Sequence, residues 1–473
     1  MTTKKQKRRE QEKKMRAETL KIIPLRGVKE GVEQGVSIYY KLGRYGFIFD
    51  CGIHPEEKIT EEELIAVYKR LKDSGFPLDC IFLTHSHTDH IRGALWVAGH
   101  FHIPIYCTSV CKRTLKNIAE RDEVNFDAIK FVTIQEGDEL KFGRATIRVR
   151  EWAHSTADAL GFEIHIGGRH LLHMGDGKLT GIHSESFNDN IAMFEEIAKE
   201  PLHLLTFDAL KADRGGVTPA EMPMIENIAK IAAENTGKKI FIFMFATHLD
   251  KIQAIIKQVL DRVYSDDEKY RELREGGVSI RFGGTAMKNA AQIIEEENEI
   301  PNLVKNLYRR DAETSVVFGT TGGEFSYDRR LVQKNGFLKD KINPGDVVIF
   351  SCGLIPCSDK TEFERKKREA KDMVEEMLRL EARIYTTKWF AKDLQIQDRV
   401  TTGHFNLGGH EGQKGLQKVL DILRPQMILP FHLLKGGCTA LQRLAGEGSI
   451  VLQPEHFECV NLGAIENPKP ENG

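Results

Sequence analysis

The sequence lacks any long hydrophobic run. No window approaches about 18 consecutive apolar residues, the length that a membrane-spanning helix needs, and no apolar segment of the kind found in a secretory signal stands near the first residue. The eight cysteines include no Cys-x-x-Cys pair, which predicts reduced and buried thiols. We therefore expect a cytoplasmic protein with no membrane contact.

An excess of charge of one sign is also missing. The formal net charge is −1, which excludes a protein that binds acidic partners simply by being a polycation. Residues 1–20 are the exception, with eight Lys or Arg against three Glu. This tail either contacts nucleic acid or another acidic surface, or serves as a disordered solubilising segment.

Short apolar runs alternate with amphipathic segments along the chain, which predicts an α/β fold of about two or three domains for 473 residues. Ser37–Leu42 and Tyr45–Asp50 predict a hairpin, and Glu61–Lys72 predicts a helix. From about residue 209 a βα alternation predicts a separate, partly parallel sheet. Histidine-bearing segments return after about residue 384, which suggests that the first domain is interrupted and then resumes.

The hexapeptide His85–His90 reads His-Ser-His-Thr-Asp-His and directly follows an apolar run. His85 and His87 lie two residues apart, so on an extended chain their side chains point the same way. Asp89 and His90 enter a helical pattern and face another direction. The segment therefore predicts two metal ions about 3.5–4 Å apart, of the kind that hydrolyse phosphate or acyl bonds.

Further ligands are expected where other buried strands end in polar residues. His154, Asp176 and His432 each follow an apolar strand, and strand ends of a layered fold meet at one edge. The remaining histidines considered lack this context and are not expected to bind metal: His100, His102, His165, His170, His183 and His456.

These motifs resemble the metallo-β-lactamase superfamily, whose signature is H-x-H-x-D-H. Asp50 resembles the superfamily aspartate that supports the ligand loop. The likeness extends to the β-CASP nucleases and, within them, to the ribonuclease J family over roughly residues 21–440. LLTFDALKADRGGVTPAE resembles motif A, with Asp208 as its acid, and LGGHEGQKGLQKVLDILRPQMILPFH resembles motifs B and C, with His410 and His432.

The resemblance implies an αββα sandwich interrupted by an inserted β-CASP α/β domain. The implied division is a basic tail at 1–20, the first part of the metallo-β-lactamase domain at 21–207, the inserted domain at 208–384, and the second part with a C-terminal tail at 385–473. The further C-terminal domain of many bacterial members is not expected here.

The resemblance also implies a ligand set and an activity. His85, His87 and His154 would hold one divalent ion, Asp89, His90 and His432 the other, and Asp176 would bridge them. Zinc suits these ligands, and manganese is the alternative. Asp89, Asp208 and His410 are the expected catalytic residues.

The implied activity is metal-dependent hydrolysis of RNA, by exonuclease or endonuclease action, in a homodimer or homotetramer. Histidine at motif C favours RNA, because the DNA-repair branch of the family typically has valine there. The alternatives are a DNA nuclease on the same scaffold, a hydrolase of small esters or thioesters, and a catalytically weak RNA-binding subunit.

Several positions depart from the ribonuclease J pattern. Asn406 and Gly408 replace a histidine and a serine that help to hold a 5′-monophosphate in the family, Leu433-Leu434 replaces Gly-Glu, and Asp250 replaces a histidine. The basic residues expected to contact the RNA backbone are Lys211, Arg214, Lys251, Arg329 and Arg330.

Overall fold

The computed structural model describes residues 19–464 except 33, 56, 184, 299–302, 321, 324–325, 328–340 and 355–359. Most of the basic tail, the loose C-terminus, Arg329 and Arg330 lie outside the described residues, so the predictions made for them stay predictions. Among the described residues, no helix is both long enough and apolar enough to cross a membrane.

The strands are short and mostly buried. Their bounds are β1 (Thr19–Arg26), β2 (Ser37–Leu42), β3 (Tyr45–Phe49), β4 (Cys80–Phe82), β5 (Ile105–Cys107), β6 (Phe131–Thr133), β7 (Glu139–Phe142), β8 (Ala145–Glu151), β9 (Leu160–Ile166), β10 (Arg169–Met174), β11 (Leu204–Asp208), β12 (Lys239–Phe243), β13 (Val278–Phe282), β14 (Thr314–Gly319), β15 (Gly322–Gly323), β16 (Ser326–Tyr327), β17 (Val347–Phe350), β18 (Arg383–Thr387), β19 (Thr401–Gly403), β20 (Met427–Phe431), β21 (Ile450–Val451) and β22 (Val460–Ala464).

Amphipathic helices connect these strands. Their bounds are α1 (Glu61–Asp73), α2 (Thr88–Ile91), α3 (Ala94–Phe101), α4 (Ser109–Arg121), α5 (Ser186–Ile197), α6 (Met222–Ala233), α7 (Leu249–Val263), α8 (Arg271–Gly276), α9 (Thr285–Glu297), α10 (Leu303–Leu307), α11 (Lys360–Arg379), α12 (Lys388–Leu394), α13 (Gln413–Leu423) and α14 (Gly437–Ala445). Helix α1 begins at a capping box, in which Thr60 and Glu63 satisfy each other's backbone amides. This local signal explains why its predicted start is correct.

Two seven-stranded sheets form the core of the molecule. The first has the order β22-β1-β2-β3-β4-β5-β6 and the second β21-β20-β11-β10-β9-β8-β7. They pack face to face over one apolar cluster, while α1, α3 and α4 cover the outer face of the first sheet. Helices α5, α13 and α14 cover the outer face of the second. This is the predicted αββα sandwich, and the prediction is confirmed.

A third sheet, of six strands in the order β13-β14-β12-β17-β18-β19, lies within the part of the chain between β11 and β20. All of its strand pairs are parallel, whereas the sequence predicted a partly parallel sheet. Apolar clusters cover both faces, as parallel sheets require. Residues 221–403, from the residue that precedes α6 to the last residue of β19, are called the parallel-sheet region below. Strands β18 and β19 carry this sheet past residue 384, where the resemblance ends the inserted domain.

Candidate metal centre

The side chains predicted to bind metal follow strands that end at the same edge of the sandwich. The hexapeptide His85–His90 begins three residues after β4, and Asp176 follows β10 by two residues. Asp208 is the last residue of β11, and His432 directly follows β20. Because β10, β11 and β20 are neighbouring parallel strands, their carboxyl ends place Asp176, Asp208 and His432 side by side.

Three imidazoles and one carboxylate form the first group. The Nδ1 atom of His87 lies 3.1 Å from Nε2 of His85 and 3.1 Å from Nε2 of His154. One carboxylate oxygen of Asp176 lies 3.8 Å from Nε2 of His85. The ligand atoms of these four residues all lie within 4.8 Å of one another, which is the spacing of ligands around a single ion.

The second group mixes histidines with carboxylates. The other oxygen of Asp176 lies 3.3 Å from Nε2 of His90 and 3.1 Å from Nδ1 of His432. One oxygen of Asp89 lies 3.4 Å from Nε2 of His432. These four ligand atoms also lie within 4.8 Å of one another, so Asp176 is the one residue that faces both groups.

Several buried atoms of the second group lie close to one another but make no hydrogen bond of normal geometry. They are Nε2 of His90, Oδ1 of Asp176, and both ring nitrogens of His432. Buried polar atoms normally find a partner, because leaving one unpaired costs about 1–3 kcal/mol. Nitrogen and carboxylate atoms that converge without partners fit a divalent metal ion, which would satisfy them together.

Burial keeps the histidines of the first group neutral. It lowers the pKa of His85 and His154 well below the usual range and that of His87 to about 4. A neutral imidazole is the form that binds metal, because the ligand nitrogen must offer a lone pair. The first group is therefore electrostatically ready for an ion at neutral pH.

The second group shows the opposite balance. Burial disfavours a charged ring, but the carboxylate of Asp176 outweighs it for both histidines, with a further contribution from Asp50 at His90 and from Asp89 at His432. The pKa of His432 rises to about 10 and that of His90 rises well above its usual range. The carboxylates therefore attract positive charge to this position, which a divalent ion also supplies.

Asp50 holds the loop that carries the ligands through contacts with Thr84 and His90. Its carboxylate accepts hydrogen bonds from the backbone amide and the hydroxyl of Thr84 at 2.8 and 2.9 Å, and it lies 2.7 Å from Nδ1 of His90. Asp50 has a φ of 58°, a left-handed backbone that aspartate tolerates better than most residues. A carboxylate on one ring nitrogen leaves the other free to face an ion, which is the supporting role that the family resemblance implies for Asp50.

Gly409 fixes the orientation of His154. Its carbonyl oxygen lies 2.9 Å from Nδ1 of His154, which leaves Nε2 to face the first group. A β-carbon at Gly409 would stand 2.5 Å from the His154 ring, so only glycine allows this approach.

Asp208 and His410 form a pair beside the two groups. The Nδ1 atom of His410 lies 2.7 Å from one oxygen of Asp208, while the other oxygen of Asp208 accepts from the amide of Leu210 at 2.9 Å. His410 also lies 3.8 Å from Asp176 and is 21 % exposed. The ring is thus held through Nδ1, and its other nitrogen is available at the edge of the site.

Behind the first group lies a buried set of charges that the sequence did not predict. The carboxylate of Glu221 lies 2.6 Å from the amino group of Lys178 and 3.5 Å from that of Lys251. The Lys251 amino group also lies 3.3 Å from Nδ1 of His248, whose ring centre is 6.4 Å from that of His87. No local pattern distinguishes a buried lysine from a solvated one, so the sequence carried no signal for this network.

Three of the basic residues expected to contact RNA are described, and they differ in exposure. Lys251 is 1 % exposed and paired with Glu221, so the expectation that it contacts RNA is wrong. Lys211 is partly buried and donates to the carbonyl oxygen of His410 at 2.9 Å. Arg214 is exposed, and its contact with RNA stays a prediction.

Residues 31–186 match the family model described as the metallo-beta-lactamase superfamily. Curated relatives extend the likeness along the chain. Ribonuclease J of Thermus thermophilus is 24% identical over 87% of this chain and 68% of its own length. Ribonuclease J2 of Bacillus subtilis is 23% identical over 89% of this chain and 70% of its own length. Over most of its length the chain is similar to these two ribonucleases.

A solved structure supports the same arrangement of elements. A protein of unknown function from Enterococcus faecalis superposes with a TM-score of 0.63 over 94% of this chain and 100% of that chain, at 15% sequence identity. At this identity the likeness concerns the fold alone. It extends over both the sandwich and the parallel-sheet region.

Proposed function

We propose that this protein is a metal-dependent ribonuclease that hydrolyses phosphodiester bonds of RNA. The observation that carries the proposal is the carboxylate of Asp176, whose two oxygens face two separate groups of converging ligand atoms. Relatives named ribonuclease J match about nine-tenths of the chain, and they supply the substrate class. We further propose a cytoplasmic enzyme that works as a homodimer or homotetramer.

Two divalent ions would be held as the two groups suggest. His85, His87 and His154 would hold one ion. Asp89, His90 and His432 would hold the other, and Asp176 would bind both. Nitrogen-rich ligands favour zinc, with manganese as the alternative. When bound, such ions lower the pKa of a water ligand to about 7 and offset the negative charge that develops on a phosphoryl group.

His410 is proposed to move a proton at the leaving oxygen of the RNA. Asp208 accepts at Nδ1 of His410, so Nε2 is the atom that can present a proton to the substrate. The carboxylate stabilises the charged ring and fixes its tautomer, as a carboxylate does for other catalytic histidines. Lys211 and Thr218 both bond to the His410 carbonyl oxygen, which keeps the backbone at this position in place.

The decisive experiment separates metal loading from catalysis. We expect Asp89→Ala to lose one ion and its RNA cleavage, and His410→Ala to keep both ions while cleavage falls about 10²- to 10⁴-fold, the usual contribution of a general acid. Metal content and cleavage of a labelled RNA are measured on the same samples. Full activity in Asp89→Ala would overturn the two-ion proposal, and unchanged cleavage in His410→Ala would remove its proposed role.

Matched substrates test the alternatives. RNA and DNA oligonucleotides of one sequence separate a ribonuclease from a DNA nuclease, and RNAs with 5′-monophosphate, 5′-triphosphate and 5′-hydroxyl ends separate end-dependent exonuclease action from internal cleavage. Asn406 and Gly408 stand at the two positions where the family has a histidine and a serine, so we expect only a weak preference for the 5′-monophosphate. A protein that binds RNA and carries two ions but cleaves nothing would be the RNA-binding subunit.

A further inference from the structure

A separate cluster of converging ligand atoms lies away from both groups of the catalytic centre, on the hairpin formed by β9 and β10. It consists of Glu163, His165 and His170. Asp176 lies six residues beyond His170 along the same chain direction, so at about 3.3 Å per residue the two places are roughly 20 Å apart. The set is therefore separate from the proposed catalytic ions.

Strand geometry brings the three side chains to one face. His165 and His170 are direct partners across the antiparallel hairpin, and Glu163 lies two residues before His165, so all three leave the sheet on the same side. The apolar residues Phe162 and Ile164 point the other way, into the core between the sheets. The face that carries the cluster is the one that helix α5 covers.

The ligand atoms meet at one point. One oxygen of Glu163 lies 2.9 Å from Nε2 of His165 and 3.1 Å from Nε2 of His170. The two rings are stacked, with centres 4.3 Å apart and planes at 14°. Glu163 and His170 are buried, whereas His165 is 28 % exposed, so an ion has a path from solvent to a largely buried position.

The outer atoms of the cluster match the surroundings of a metal site. Nδ1 of His165 lies 3.7 Å from the carboxylate of Glu200, and Arg150 holds the second oxygen of Glu163 at 2.7 Å. A neutral His165 carries one N–H. With that N–H on Nε2, the 2.9 Å contact with Glu163 is a hydrogen bond; with it on Nδ1, on the side of Glu200, the lone pair of Nε2 and the oxygen of Glu163 can bind one cation. A ligating histidine that turns its other N–H towards a carboxylate is the usual arrangement around zinc.

We propose that Glu163, His165 and His170 bind a third divalent ion of the zinc class, independently of the catalytic centre. Two imidazoles and one carboxylate suit zinc, nickel or cobalt rather than magnesium or calcium, and water supplies the fourth ligand. The ion joins β9 to β10 near the turn that connects them. It therefore stabilises the second sheet without taking part in hydrolysis.

The test counts zinc ions per chain. The full-length protein is dialysed against buffered Zn²⁺ and its metal is measured by mass spectrometry. We expect three ions in the wild type, two in His165→Ala with RNA cleavage retained, and three in His183→Ala, a control at an exposed histidine outside the cluster. Two ions in the wild type, or equal content in the wild type and His165→Ala, would overturn the proposal and assign the cluster to hydrogen bonding around a protonated His165.

A background without the catalytic ions separates this site from the proposed function. In Asp176→Ala we expect one remaining ion and a rise in melting temperature on adding Zn²⁺. Both should disappear in the double variant Asp176→Ala, His165→Ala. If His165→Ala does not fold, as judged by circular dichroism, Glu163→Gln replaces it, because glutamine keeps the side-chain volume and removes the charged ligand. A zinc-dependent rise that persists in the folded double variant would contradict the third site, whatever the outcome for catalysis.

Discussion

The sandwich and the parallel-sheet region contribute to the centre in different ways. The sandwich supplies the converging ligand atoms from strand ends, and several of those in the second group make no hydrogen bond. The parallel-sheet region supplies charged side chains that are already paired, namely Glu221 with Lys251 and, across the boundary, with Lys178 of the sandwich. The first set is arranged to bind something further, whereas the second holds the two regions together.

Asp176→Ala should have the largest effect, since it removes the one carboxylate that faces both ligand groups. We expect loss of both catalytic ions and a fall in RNA cleavage of more than about 10³-fold, beyond the 10- to 100-fold typical when a residue outside the ligand set is changed. Metal analysis and cleavage assays measure the two losses. Asp189→Ala, at an exposed aspartate, is the control. Retention of both ions in Asp176→Ala would contradict the view that the sandwich, through Asp176, supplies the ligand atoms of the centre.

Glu221→Gln tests the pairing role of the parallel-sheet region. The variant leaves Lys178 and Lys251 buried without their shared carboxylate, and breaking a buried ion pair typically costs about 3–5 kcal/mol. We expect the free energy of unfolding in urea to fall by that amount. Glu226→Gln, at an exposed position in the helix that directly follows Glu221, should change it by less than about 0.5 kcal/mol. Equal stability of the two variants would show that Glu221 does not join the regions.

Asp50→Asn should affect the second ligand group and spare the first. Asparagine adopts the left-handed backbone of Asp50 readily but does not offer a charged partner to Nδ1 of His90. Outer partners of metal ligands usually contribute 10- to 100-fold in affinity, so we expect one ion to bind about that much more weakly while the other is unchanged. Titration with Zn²⁺ at increasing chelator concentrations measures the two affinities separately. Equal weakening of both ions would mean that Asp50 supports the whole loop.

The sequence predicted the sandwich side of the centre better than the other side, for a physical reason. His85 to His90, Asp176 and His432 follow apolar strands, and the direction in which a strand end points is a local property. The burial of Lys251 depends on Glu221, thirty residues earlier, and on Lys178 in another region, and composition does not encode such pairings. The cluster of Glu163, His165 and His170 was missed because it depends on the register of β9 against β10, since a shift by one residue would move its members to opposite faces.

Asp250 permits a smaller test within the parallel-sheet region. Its pKa is raised to about 6, first by burial and then by the negative charges of Asp158, Glu221 and Glu151. A carboxyl group whose pKa is higher in the folded state favours folding fully below the unfolded value of about 4, and this contribution is lost as the pH rises through 6. Asp250→Asn removes the charge, so we expect it to be more stable than the wild type by about 1–2 kcal/mol at pH 8, after allowance for partial exposure.

The pH dependence distinguishes this explanation from a general effect of the substitution. The advantage of Asp250→Asn should shrink steadily from pH 7 to pH 4 as the wild-type carboxyl group takes up its proton. Asp261→Asn, at an exposed site on the same helix, should show no such trend. In a Glu221→Gln background the advantage should become smaller, because one of the charges that raise the pKa of Asp250 is then absent. A constant advantage at all pH values would instead indicate that asparagine simply suits the first turn of α7, and that Asp250 is not part of the charged network of the parallel-sheet region.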